Sequence, residues 1–156
     1  MIPSAATKNN KPFYKKLAIA ALLLLLMGAG IAYYIFTEKF DDTSKIASAY
    51  TVDGMTMLQE FAANDSAANN KYREKILSVK GIVSETETAD SSINVKFADS
   101  TSGAYIIFAF QQQHMAEARQ LKEGDAVTIK GSCSGGTYSS ILETTYITFK
   151  RCAVSN

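Results

Sequence analysis

Few side chains in this sequence have the type and spacing to do chemistry. Cys133 and Cys152 are its only cysteines. In an oxidising compartment they suit a disulfide joining the loop after a fourth strand to the C-terminal tail. Closing that loop would contribute about 3 kcal/mol in the chain-entropy picture. The alternative is two unrelated thiols whose Cα atoms lie too far apart to bridge. The pair is not C-x-x-C, so redox exchange is not indicated. The sole histidine, His114, follows Gln111-Gln112-Gln113. One His and two distant Cys are too few for a metal centre, and a catalytic His needs an orienting carboxylate and a nucleophile beside it. His114 therefore reads as an exposed or capping residue. Lys71, Arg73 and Lys75 form a small basic cluster interrupted by Glu74 and read as solvated surface. Asn94, Lys96 and Tyr105 are the best ligand candidates: a cation to meet an anion and a ring to stack on a ring. The plainer reading is that Lys96 is solvated and Tyr105 packs at a rim.

No G-x-S-x-G, H-E-x-x-H or phosphate-cradling glycine loop is present, and Ser134-Gly135-Gly136 reads as a turn. No catalytic residue, metal or cofactor is assigned, and the expectation is a non-enzymatic protein.

The elements that must position these residues fall into zones. Residues 1–16 are polar and basic, an expected cytoplasmic tail. Leu17 to Phe36 (LAIAALLLLLMGAGIAYYIF) carries no charge. As a helix it rises about 30 Å, the thickness of a bilayer core. Four cations (Lys8, Lys11, Lys15, Lys16) precede it and all fifteen acidic residues follow it. Positive charge stays on the cytoplasmic side, so the expectation is a single-pass inner-membrane helix with the C-terminal domain in the periplasm. A cleaved signal peptide is the competing reading, but the run ends in bulky Tyr-Tyr-Ile-Phe instead of a small-x-small site. Residues 37–49 read as a linker. Beyond the apolar run there are twelve cations against fifteen anions, a net −3. A domain that grips phosphates usually shows the opposite sign.

From residue 50 onward the pattern is that of one small domain. Met55, Leu58, Phe61 and Ala62 mark a helix over about Val52–Ala63, with Thr51 or Asp53 at its start. Ser66 would cap a further turn. Strands are expected at Lys75–Thr86, Ser92–Ala98 and Ala104–Phe110, with Ile93, Val95 and Phe97 inward and a bulge or sharp bend at Gly81. Glu87–Ser91 reads as a turn. A helix is expected at Gln112–Leu121, then strands at Ala126–Gly131 and Ser140–Phe149. A helix between the third and fourth of five strands is the layout of an OB-type barrel. Such a barrel binds on the outer face of its second and third strands, which by parity holds Asn94, Lys96, Tyr105 and Ile107.

At Phe61–Asn64 (FAAN), Ala67–Tyr72 (AANNKY), Lys75 with Val79–Val83, and Leu121–Gly135 (LKEGDAVTIKGSCSG), the chain resembles the tRNA-anti-like OB-fold domains of bacterial envelope proteins. The resemblance spans about residues 50–150 and implies a nucleic-acid-type fold. In similar sequences a second Cys often stands near Thr145; here it is Cys152. The expected function is a membrane-anchored extracytoplasmic binding module for an envelope protein, a peptide or a small ligand. The alternative is an oligonucleotide-binding OB protein.

Overall fold

The computed structural model describes residues 11–37 and 41–155. Residues 1–10 of the expected basic tail and residues 38–40 of the expected linker lie outside the described residues. The chain divides into two compact units, Met1–Phe40 and Asp41–Asn156.

The described residues of the first unit form one helix, α1 (Lys11–Thr37). Its Lys15–Phe36 stretch is long and apolar enough to cross a membrane, and none of it is buried. Lys11, Lys15 and Lys16 are part of this helix, not of a separate tail. Apolar side chains on every side leave no polar face for water, which is the pattern a helix in lipid requires.

The second unit opens with a 3-10 turn, Thr43–Lys45, capped by the Asp42 side chain on Ser44 N. Residues 41–49, expected as linker, pack on the domain: Lys130 Nζ donates to the carbonyls of Ser44 and Ile46, and Ala49 N donates to Ile76 O. Strand β1 (Tyr50–Asp53) leads into α2 (Gly54–Ala63), whose first N–H groups are taken by the Asp53 carboxylate. Met57, Leu58 and Phe61 form its buried stripe. Asn64, not Ser66, caps α3 (Asp65–Tyr72) by accepting from Ala67 N. The Phe61 and Tyr72 rings stack across the helix pair at 6.2 Å.

The remaining strands are β2 (Ile76–Ile82), β3 (Glu85–Ala89), β4 (Ser92–Ala98), β5 (Tyr105–Phe110), β6 (Ala126–Ser139) and β7 (Thr144–Ser155). A 3-10 turn (Gln112–His114) and one helical turn, α4 (Met115–Ala118), replace the longer helix expected at Gln112–Leu121. The hydrogen-bonded order is β1-β2-β6-β7-β5-β4-β3, with β1·β2 and β5·β7 parallel and the other pairs antiparallel.

The expected five-stranded barrel is thus corrected to an open, seven-stranded sheet. The strand expected at Lys75–Thr86 divides at Val83-Ser84: Val83 N donates to Asp125 O beside β6, while Ser84 N donates to Lys96 O of β4. The chain changes partner there, so β2 and β3 stand near opposite ends of the ladder, joined only by these two residues. Strand β3 occupies most of the expected Glu87–Ser91 turn, and β1 adds a parallel edge. The Gly135-Gly136 turn is absent because β6 continues through it to Ser139.

Gly81 is not a bulge. It pairs regularly with Val127, and its φ is not positive. Its bareness serves packing: a Cβ there would lie 2.5 Å from Phe97 Cδ2. Phe97, Phe108 and Phe149 form a ring cluster at the centre of the core, with centroids 4.7 and 5.0 Å apart.

Candidate functional site

Strand alternation puts Ile93, Val95 and Phe97 in the core and Asn94 and Lys96 on the outer face. Ladder register then fixes their neighbours. Lys96 lies between Glu85 of β3 and Ile107 of β5, Asn94 lies beside Glu87, and Tyr105 lies beside Tyr146 of β7. The three sequence candidates therefore share one face, together with Glu85, Glu87 and Tyr146, which were not singled out.

Lys96 is the electrostatic centre of this face. Its Nζ lies 3.2 Å from Glu85 Oε2, donates to Glu87 Oε1 and stands 5.9 Å from the Tyr105 ring centroid. The hydrogen bond to Glu87, then that to Glu85, raises the Lys96 pKa despite partial desolvation. The lysine is locked in its charged form, yet two carboxylates already surround it. Tyr105 and Tyr146 stack nearly parallel, 6.0 Å between centroids and 17° between planes. The face thus offers an aromatic pair beside a neutralised cation.

The two lysines of the basic cluster at the end of α3 are similarly occupied. Lys71 Nζ lies 2.9 Å from Glu60 and 4.6 Å from the Tyr72 ring centroid. Lys75 Nζ donates to Lys71 O and lies 5.3 Å from the Tyr50 ring centroid.

His114 corrects its expectation. It stands at the N-cap position of α4, as one of the two readings had it, but its side chain caps nothing: it is buried, not exposed, and its Nε2 donates to Asp42 Oδ1 at 2.7 Å. The Glu117 carboxylate lies 3.4 Å from Nδ1, which makes no hydrogen bond. The contact with His114, helped by Ser44, holds the Asp42 carboxyl far below its ordinary range. No local pattern signals a contact between residues 72 apart in sequence.

Cys133 and Cys152 are free thiols in this structure, fully buried on β6 and β7. The C-terminal tail expected to carry Cys152 is part of β7. Burial pushes the Cys133 thiol up to about 11 and the Cys152 thiol well above its ordinary value. Among the described residues no group of three His, Cys, Asp or Glu side chains is placed to hold a metal ion.

Asn69 was legible only as part of AANNKY. Its amide side chain donates to Gly136 O and accepts from Gly136 N, which ties α3 to β6. Gly135 beside it has φ +110, and a Cβ there would lie 2.6 Å from Asn69 Oδ1. The glycines expected as a turn are needed for this close approach.

The β6–β7 hairpin turns later than the expected Gly135-Gly136, between Ser139 and Thr144. Residues expected inside a strand form its tip, and Ile141 is 91% exposed. A cleft of about 350 Å³ lies against this hairpin, between α2 and the β4–β5 turn.

A family model described as tRNA_anti-like matches residues 8–144. The chain belongs to the tRNA_anti-like family. Among solved structures, this family member is similar to a "putative nucleic acid-binding lipoprotein" from Klebsiella pneumoniae subsp. pneumoniae, at 19% identity and a TM-score of 0.54. The match covers 76% of this chain and 100% of that one. An OBody bound to hen egg-white lysozyme matches at 19% identity and a TM-score of 0.42, over 55% of this chain and 86% of that one. A putative aspartyl-tRNA synthetase from Leishmania major Friedlin matches at 8% identity and a TM-score of 0.43, over 76% of this chain and 22% of that one. No curated protein matches.

Proposed function

We propose that this tRNA_anti-like chain is a membrane-anchored interaction module whose OB-type domain recognises a protein or peptide outside the cytoplasm, without catalysing a reaction. One observation carries the reading: on the face where an OB domain holds its ligand, the central cation, Lys96, is already neutralised by Glu85 and Glu87. A polyanion approaching it meets two carboxylates per lysine. Nucleic-acid affinity depends on releasing counterions through many cation–phosphate contacts, and this face offers no surplus of cations. The net −3 beyond the apolar run works in the same direction.

Helix α1 supports the anchor part of the reading. Its Leu17–Phe36 stretch is uncharged and lies between a basic leading flank and an acidic domain, which favours leaving the domain beyond the bilayer.

A second reading, oligonucleotide binding, draws on the Tyr105–Tyr146 stack, since aromatic platforms hold bases of any sequence. The name of the Klebsiella lipoprotein points the same way. The two readings separate in one experiment. Full-length protein in detergent is titrated against fluorescent single-stranded oligothymidine and oligouridine at moderate salt. The interaction-module reading expects no saturable change in anisotropy. Saturable binding that weakens steeply with salt and is lost on Tyr105→Ala would replace it with the second.

A further inference from the structure

We propose that the cleft at the β6–β7 hairpin is the docking site for a basic, apolar peptide segment of a partner protein. Leu58 and Ala62 of α2, Ala104 just before β5 and Tyr138 of β6 supply its apolar lining. Asp99 and Glu143 also line it, and among the described residues no Lys or Arg does. Asp99 accepts from Thr101 N and Ser102 Oγ, which hold its carboxyl below the ordinary range and keep it charged. Thr144 Oγ1, also in the lining, is buried without a hydrogen-bond partner.

Charge complementarity selects the occupant. A Lys or Arg side chain can lay its methylene stem along Leu58, Ala62 and Tyr138 while its cationic head meets Asp99 and Glu143. Ile141 and Leu142, immediately before Glu143, are 91% and 58% exposed and supply contact for a neighbouring apolar side chain of the same segment.

The backbone at Glu143 adds a further mark. Its φ is +50, in the left-handed region that favours Gly and Asn over Glu. Asn would therefore suit the turn at least as well, which makes Glu143→Asn a substitution that removes the charge and keeps the backbone.

This inference rests on reading the domain as a protein-binding module, and the experiment keeps the two apart. Full-length protein in phosphatidylcholine nanodiscs is titrated with the fluorescein-labelled peptide Gly-Leu-Arg-Leu-Arg-Leu-Gly. Its Glu-for-Arg counterpart, labelled oligothymidine and empty nanodiscs serve as controls. The Arg peptide is expected to bind, more weakly as salt rises, and the Glu peptide not to. Glu143→Asn should weaken binding by about fivefold with an unchanged or higher melting temperature, and Leu142→Ser by about tenfold. Arg-peptide binding that ignores both substitutions would overturn the cleft and leave the module reading intact. Oligothymidine binding without peptide binding would overturn both. Leu142-dependent dimerisation in sedimentation, or a polarity-sensitive dye at Ile141→Cys that reports lipid before peptide is added, would give the tip to a second copy or to the bilayer and likewise overturn the proposal.

Discussion

Gly81 and Asp42 each act through a contact with a residue far off in sequence, Phe97 and His114, that sequence pattern does not reveal. The Phe97 ring lies against the Cα of Gly81, closer than any side chain at 81 would allow. Gly81→Val is expected to displace the ring cluster Phe97–Phe108–Phe149 and cost on the order of 1–3 kcal/mol. Urea unfolding checks this, and an unchanged midpoint would mean that Phe97 can move aside freely. Asp42 is a matter of charge. Its neighbours are His114, Ser44 and Lys45, with Glu117 on the far side of the His114 ring. The hydrogen bond from His114 holds the folded-state pKa of Asp42 below its ordinary 3.8. The ionised carboxylate is thus the form the fold prefers; its contribution is complete well above 3.8 and is lost as pH falls from there toward the lowered folded-state value. Wild-type stability should decline more steeply than that of Asp42→Asn between about pH 4 and pH 2. Parallel declines in urea midpoints across that window would show that Asp42 carries no such linkage.

At the scale of elements, β6 and β7 form the longest antiparallel pairing in the domain and enclose both thiols. Thiolate is the reactive form, and burial disfavours it at Cys133 and Cys152 alike. Native protein isolated without reductant is expected to resist Ellman's reagent at neutral pH and to yield two thiols per chain once unfolded in urea. Rapid native labelling would place a thiol at the surface, whereas no thiols in urea would reveal the disulfide that the cysteine count also allowed. The same strands show what local pattern can and cannot tell. Helix α1 and strand β4 are legible because a long uncharged run and a clean alternation are local signals. The division of β2 from β3 is not, since Val83 and Ser84 differ from their neighbours only in their partners, Asp125 and Lys96. Gly135-Gly136 reads as a turn by composition, yet the pair lies in a strand because Asn69, far off in sequence, packs there. On the outer face, Asn94, Lys96 and Tyr105 were reachable by parity. Glu85 and Glu87, which change its electrostatic character, were hidden in residues expected to end a strand and form a turn.

At the scale of the whole molecule, charge is sorted along the chain. Four lysines precede the apolar stretch of α1, and every carboxylate follows it. Moving the net −3 segment across the inner membrane leaves the basic flank on the cytoplasmic side, the orientation that membrane insertion favours. The alternative of a removed signal segment makes a different physical demand, because a domain freed from α1 has no apolar helix to hold it in lipid. Two fractionations separate these outcomes. An anchored protein stays with membranes through an alkaline carbonate wash, whereas a processed one leaves with the periplasmic fraction on osmotic shock. In intact spheroplasts, proteinase K added outside is expected to remove a C-terminal epitope placed after Asn156 while sparing a cytoplasmic control. Protection of that epitope, with an external control digested, would put the domain in the cytoplasm. An oxidising environment for Cys133 and Cys152, and an envelope partner for the acidic cleft, would then both lose their basis.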